Sequence, residues 1–319
     1  MPPLLLSHLK DAAALFASNF RSLRASVPIL PPAFEDPAIV LPKLEHLLEH
    51  SAGVAFMDGE TLVGYLAWWE VDDFRGAGRR AAYAPVWAHS ARREIFSTVY
   101  TALYSEASDA WFQQGCAVHA LTTLADDAAM HQFWFWNAFG LAVVDAVRPA
   151  VPLDAPAPLG LQVRKASPMD AQAMADLEAE HARHYAAPPV LMVPGVPDGL
   201  DACAAFLSNP ANAVWIALDG DRPVAYLRSE YASHGASEFV QGAGTAAVTG
   251  LYTQPGYRGR GAGAALLDAA LHDYAAHGYE RLSVDFESFN PTATRFWTRY
   301  FTPVCYSVIR VPERAVGEM

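Results

Sequence analysis

The chain has 319 residues, about twice a typical domain, so two domains of ordinary size are expected. Hydrophobic residues make up 52% and charged residues 18%, which supplies well-buried cores and argues against general disorder. The formal net charge is -12, and a cut near residue 155 leaves 10 Lys+Arg against 17 Asp+Glu before it and 12 against 17 after it. Two acidic halves repel a phosphate-rich polymer, which disfavours nucleic acid and favours amine-bearing small molecules. Cys116, Cys203 and Cys305 are odd in number and far apart, without a disulfide framework or metal-ligand spacing, as suits a reducing cytoplasm. The opening Met1-Pro2-Pro3-Leu4-Leu5-Leu6-Ser7-His8 lacks the basic start and apolar length of a signal peptide, and no stretch reaches membrane-spanning length. The expectation is a soluble cytoplasmic protein without a membrane partner.

In chain order, a first helix carries His46 and His50 at i, i+4. That spacing suits a metal, yet the Glu of a His-Glu-x-x-His site is missing. This pair, and His181 with His184, read as solvated histidines on helix faces, and no metal is expected. Asp58-Gly59-Glu60 is a turn signal between apolar runs, hence a β-hairpin. Phe133-Trp134-Phe135-Trp136 reads as core and interdomain packing, and Val143–Arg148 as a closing strand. Residues 149–160, with four prolines, read as an extended linker and the domain boundary.

Across that boundary the pattern repeats. Asp219-Gly220-Asp221 lines up with Asp58-Gly59-Glu60, Phe296-Trp297 with Phe133-Trp134, and Cys305–Arg310 with Val143–Arg148, at nearly equal separations. Three segments in one order predict two copies of one α/β unit rather than a short-period array. The second copy predicts a strand over Leu161–Arg164, a helix capped near Ser167-Pro168, and a helix from about Asp198 to Ser208. The hairpin, a strand through Ala246–Thr253 and the helix Ala264–His277, ended by Gly278, follow. Arg281–Glu287 alternates as a half-buried strand, a helix starts near Asn290-Pro291, and Cys305–Val311 closes the unit.

The most informative stretch is Leu251-Tyr252-Thr253-Gln254-Pro255-Gly256-Tyr257-Arg258-Gly259-Arg260-Gly261-Ala262-Gly263-Ala264, a strand, a glycine-rich turn and a helix start. Glycines admit a ligand close to the backbone, and a helix N-terminus offers free N–H groups and a positive dipole end to phosphate oxygens. A Walker A loop would need Gly-Lys-Ser/Thr, which is absent. A dinucleotide fingerprint can be drawn through Gly259, Gly261 and Ala264, but Gln254–Arg258 separate it from the strand, and the acid Glu280 stands before the next strand instead of at its end. A Gly/Arg turn without any ligand is the plainest alternative.

The stretch resembles the pyrophosphate loop of the GNAT acyltransferase superfamily, Gln/Arg-x-x-Gly-x-Gly/Ala, here Arg258-x-x-Gly261-x-Gly263. The family's later Asn, Ala and aromatic pair appear as Asn290, Ala293 and Phe296-Trp297, so the resemblance covers roughly residues 161–312. It implies a mixed α/β fold with a mixed sheet in each half, as two tandem acyl-CoA N-acyltransferase domains: a degenerate copy over 1–155 and one with an intact loop over 156–319. It also implies acetyl-CoA as acyl donor, with its pyrophosphate on Arg258, Gly259, Arg260, Gly261, Ala262, Gly263 and Ala264. The pantetheine arm would pair with Leu251, Tyr252 and Thr253, and Asn290 would help to fix it. The acceptor would be a primary amine of a small molecule or peptide, and the first half would shape the acceptor cleft or hold a homodimer together.

The match departs from the family at the final helix, where Trp297 takes the place of a Tyr that protonates the leaving thiolate in many members. An indole N–H is no labile acid, and Tyr300, one turn on, can substitute. The general base stays open among Glu287, Asp285 and Glu230. In the first half Arg93 aligns with Arg258, while the two motif glycines fall on Phe96 and Thr98, and the bulk of Phe96 would block a pyrophosphate. A second reading is a catalytically weak acyl-CoA-binding sensory protein.

Overall fold

The computed structural model describes residues 1–155 and 157–313, which divide into two compact units. One comprises Met1–Asp145 with Pro303–Met319, and the other Ala146–Thr302. The compact units and the sequence halves therefore differ at two places.

In the first unit, helices α1 (Leu9–Ser26) and α2 (Pro37–His50) precede the hairpin β1 (Gly53–Asp58) and β2 (Thr61–Ala67). Asp36 caps α2 by accepting from the Ala38 N–H at 2.9 Å, with Pro37 as first helical residue. Gly59 makes the hairpin turn at φ +60. Short strands β3 (Trp69–Val71), β4 (Ala81–Ala84) and β5 (His89–Ala91) lead to α3 (Phe96–Gln113), β6 (Val118–Leu124) and α4 (Ala128–Trp136). Strand β7 (Gly140–Pro149) then runs out of this unit, changing over between Asp145 and Ala146. β5 pairs with β2, β4 runs parallel to β6, and Trp68, Tyr100, Tyr104, Trp111 and Trp134 fill the core with edge-to-face contacts. Of the aromatic run expected to pack, Trp134 is buried while Phe135 and Trp136 are exposed, because successive helical residues cannot share one face.

The second unit opens with the end of β7, then β8 (Gln162–Lys165), α5 (Ala171–Ala186), α6 (Leu200–Ser208) and the hairpin β9 (Ala213–Asp219) and β10 (Arg222–Glu230). Gly220, at φ +58, makes the turn equivalent to Gly59. Next come β11 (Thr245–Thr253), α7 (Ala262–Ala276), β12 (Arg281–Glu287) and α8 (Pro291–Tyr300). The strands lie in the order β7, β12, β11, β10, β9, β8, with β11 and β12 parallel and the hairpins antiparallel. The alternation expected for β12 holds only at its end, since Arg281–Phe286 is buried on both faces except for Asp285. A central strand covered by helices on both sides reads as continuous burial.

The last strand, β13 (Thr302–Arg310), follows α8 but pairs antiparallel with β6 of the first unit from Cys305↔Leu124 to Arg310↔His119. The second half of the sequence thus gives its closing strand to the first unit, where the sequence pattern keeps Cys305–Val311 with the second half, while only the end of β7 passes into the second unit. Within the proline-rich run, Leu153 and Ala155 are tied to α7, their N–H groups donating to Asp268 at 2.7 and 3.1 Å.

Candidate active site

The site forms where two parallel strands part. β11 and β12 pair from Thr245↔Arg281 to Val248↔Val284 and no further, while β11 stays paired with β10 as far as Thr253. A register shift between Arg228 and Ser229 leaves Thr249 as an extra residue opposite β10, and a bulge of this kind bends its strand. Beyond it, the β11 edge turned toward β12 has backbone groups without a strand partner. The parting opens a cleft of about 860 Å³, all of whose lining residues belong to the second unit.

One end of the cleft is the start of α7. Gly261 caps that helix at φ +86 and Gly259 sits at φ +78, conformations that other residues adopt at a cost. The first intrahelical bond is from the Ala265 N–H to the Gly261 carbonyl at 3.0 Å, which leaves the N–H groups of Ala262, Gly263 and Ala264 for a ligand. A methyl group on Gly263 would lie 3.1 Å from the Phe296 ring, so glycine there lets α8 close against α7. Arg258 donates to the Thr253 carbonyl at 3.1 Å and lines the cleft, whereas Arg260 lies outside the lining, 4.8 Å from the Tyr257 ring. Of the expected cofactor residues, Leu251, Tyr252, Thr253, Arg258, Gly259, Gly261, Ala262, Gly263, Ala264 and Asn290 line this one cleft. Asn290 is buried, caps α8 through the Ala293 N–H at 3.3 Å, and its side chain also reaches His184 and Tyr185.

The three expected catalytic residues separate. Tyr300 lines the cleft, its ring 5.0 Å from that of Phe296, and Trp297 beside it is buried. Glu287 is engaged with the Tyr185 hydroxyl and does not line the cleft. Glu230 is held between Arg228, at 3.3 Å, and the Thr249 hydroxyl, which donates at 2.8 Å. Arg228 is shared further with Glu178 at 3.1 Å and Asp198 at 2.9 Å, so Glu230 belongs to a charge network beneath the bulge. Asp285 does line the cleft, one residue beyond the last β11–β12 pair. Burial raises its carboxyl above the usual range, against the opposing hydrogen bond from Ser233. A methyl group on Gly235 would stand 2.7 Å from Asp285 Oδ2, so glycine there leaves room for the carboxylate.

His181 and His184, expected as solvated, are half-buried and face the sheet. The His181 ring stacks on Tyr252 at 5.2 Å and its Nδ1 shares a hydrogen bond with the Tyr226 hydroxyl at 2.8 Å. Burial lowers its pKa to about 4, which keeps it neutral, and burial with the nearby Arg258 also lowers His184. With Tyr185 they line the same cleft. Their i, i+3 and i, i+4 spacing on α5 was the available signal, and it marked a common face without telling whether that face meets the sheet or solvent. His46 and His50 are exposed as expected, and with Glu49 they bring three ligand atoms within 4.8 Å of one another.

The first unit fills the equivalent position. Pairing of β4 with β6 ends at Ala84↔Leu121, and beyond it the buried His89 of β5 bridges the gap through Nε2 to the Thr122 carbonyl at 2.9 Å. Its Nδ1 meets the Tyr100 hydroxyl at 2.7 Å. Arg93 is bound to Asp126 at 2.7 Å, and Phe96 starts α3 and packs on Phe133 with ring centroids 6.3 Å apart.

Strand parting, bulge and glycine-capped helix in one cleft coincide with a match of residues 179–301 to the Acetyltransferase (GNAT) family model. The second half carries a GNAT domain. Among solved structures, a GCN5-related N-acetyltransferase from Sphaerobacter thermophilus is 14% identical, with a TM-score of 0.55 over 97% of this chain and 94% of that one. A probable N-acyltransferase from Enterococcus faecalis is 13% identical at a TM-score of 0.42, covering 97% of this chain and 72% of that one. A GCN5-related N-acetyltransferase from Kribbella flavida is 14% identical at a TM-score of 0.37, covering 97% and 69%. No curated protein matches the sequence. The similarity over nearly the whole chain agrees with a fold of two tandem GNAT-like domains. No helix among the described residues is long and apolar enough to cross a membrane.

Proposed function

We propose that the second domain transfers an acetyl group from acetyl-CoA to a primary amine of a small molecule or peptide. The carrying observation is that the β11–β12 gap and the open N-terminus of α7 share one cleft, a slot for an extended arm ending at a phosphate site. The pyrophosphate would rest on the N–H groups of Ala262, Gly263 and Ala264 with Arg258 beside it, and the arm would run along Leu251–Thr253 past Asn290. Free backbone N–H groups of β11 near the bulge would face the thioester carbonyl and stabilise the oxyanion formed when the amine attacks. Of the carboxylates, Asp285 is the one on the cleft wall, and its raised pKa suits removal of a proton from the acceptor ammonium. Collapse of the tetrahedral adduct would break the C–S bond, and Tyr300, which lines the cleft, would protonate the departing thiolate.

The first domain is read as a degenerate copy, with His89 and Phe96 standing where the second has its gap and its glycine. The three cysteines are buried, which fits a reducing cytoplasm. Burial of Trp297 at the usual acid position favours a second reading, an acyl-CoA-binding sensory protein. Calorimetric titration with acetyl-CoA and thiol release from acetyl-CoA across a panel of primary amines separate the two. Binding with amine-dependent thiol release supports the enzyme, binding without release on any amine supports the sensor, and absence of binding sinks both.

A further inference from the structure

The rim of the cleft holds charge that the fold does not use. In a chain of net charge -12, Arg295 and Arg299 stand at i, i+4 on α8, both exposed and both lining the cleft. Side chains at that spacing are neighbours, and like charges there destabilise a helix. Some other arginines of this unit are matched, among them Arg164 with Asp170 at 2.7 Å and Arg228 with three carboxylates. Among the described residues, neither Arg295 nor Arg299 has a carboxylate within ion-pair reach, and Arg299 merely lies 5.5 Å over the Tyr300 ring.

Their position relative to the phosphate loop is set by packing. Phe296, next to Arg295, meets the first turn of α7 at Gly263, so the α8 arginines flank the residue that touches the loop. The loop has its own donors for a pyrophosphate in three free N–H groups and Arg258. Two further guanidiniums on the facing helix match a separate, doubly charged phosphate monoester, whose oxygens take paired N–H donors and whose charge relieves their repulsion.

We infer that Arg295 and Arg299 bind the 3′-phosphate of coenzyme A, so that the site selects coenzyme A over its 3′-dephospho form. The inference rests on the acyl-CoA reading of the cleft. Calorimetry with coenzyme A and 3′-dephospho-coenzyme A, on the unchanged protein and on the R295A/R299A double variant, tests it. The unchanged protein should prefer coenzyme A by about tenfold or more, the worth of a charge-assisted contact, and the double variant by less than about threefold. Affinity for the 3′-dephospho form should be the same in both proteins. Equal affinity of the unchanged protein for the two ligands would overturn the assignment. So would a variant that loses affinity for both alike, since the arginines would then act on the pyrophosphate. Failure of the unchanged protein to bind either ligand would instead remove the acyl-CoA reading itself.

Discussion

Helix α7 carries a matched pair of glycines that separates backbone strain from ligand contact. Gly261 at its N-cap has φ +86 and Gly278 beyond its C-terminus has φ +78. An added Cβ would meet nothing within 4 Å at Gly278 and only Pro158 Cα, at an ordinary 3.7 Å, at Gly261. Valine at either position therefore forces a β-branched residue into the left-handed region at a similar cost, on the order of 1–3 kcal/mol. For a unit of this size that cost lowers the melting midpoint by roughly 2–4 °C per kcal/mol in both variants. Their binding should diverge. At residue 261 a retained backbone puts the isopropyl group at the mouth of the phosphate site, and a relaxed one turns the Ala262 N–H away from it. Loss of one charge-assisted hydrogen bond is worth about 1.5–3 kcal/mol, or roughly a 10- to 150-fold weaker Kd. Calorimetry with acetyl-CoA should show that loss in Gly261→Val and unchanged affinity in Gly278→Val, with similar thermal shifts. Unchanged binding in Gly261→Val, or equal losses in the two, would refute the assignment of this loop.

Burial lowers His89 and His119 from 6.5 to about 4, so between those values the unfolded chain binds more protons than the folded one. Their contribution is complete above about pH 6.5 and lost as pH falls toward 4, roughly 3 kcal/mol for His89 over the whole interval. Urea unfolding between pH 7.5 and 4.5 should show this fall, with a shallower one in His89→Gln, and a flat profile would contradict it. Among the carboxylates, Asp285→Asn should slow acetylation of the best amine by about 100-fold or more with acetyl-CoA affinity intact. Glu230→Gln should instead act on stability through the Arg228 network, and a rate loss equal to that of Asp285→Asn would move the base to Glu230.

Much of the site was legible as sequence because it is made of backbone. A positive φ needs glycine, so Gly259 and Gly261 announce their own conformation, and the turns at Gly59 and Gly220 do the same for the two hairpins. Asn290-Pro291 likewise marks a helix start by local capping. Side-chain roles were less legible. Asp285 and Glu287 share one face of β12, and only packing separates them, leaving Asp285 on the cleft wall and joining Glu287 to Tyr185. His181 and His184 looked like a solvated pair because spacing along α5 does not tell what the face meets.

Residue order alone therefore determined the local features: two hairpins, a strand leading through glycines into a helix, and the repeat of one unit along the chain. Tertiary structure decided which strands complete each unit, since β13 pairs with β6 although it follows α8 in sequence. It also decided that the strand gap is open in one unit and bridged by His89 in the other. The physical reason is that turns and caps are settled by a few neighbouring residues, whereas strand partners and burial depend on surfaces brought together from distant parts of the chain.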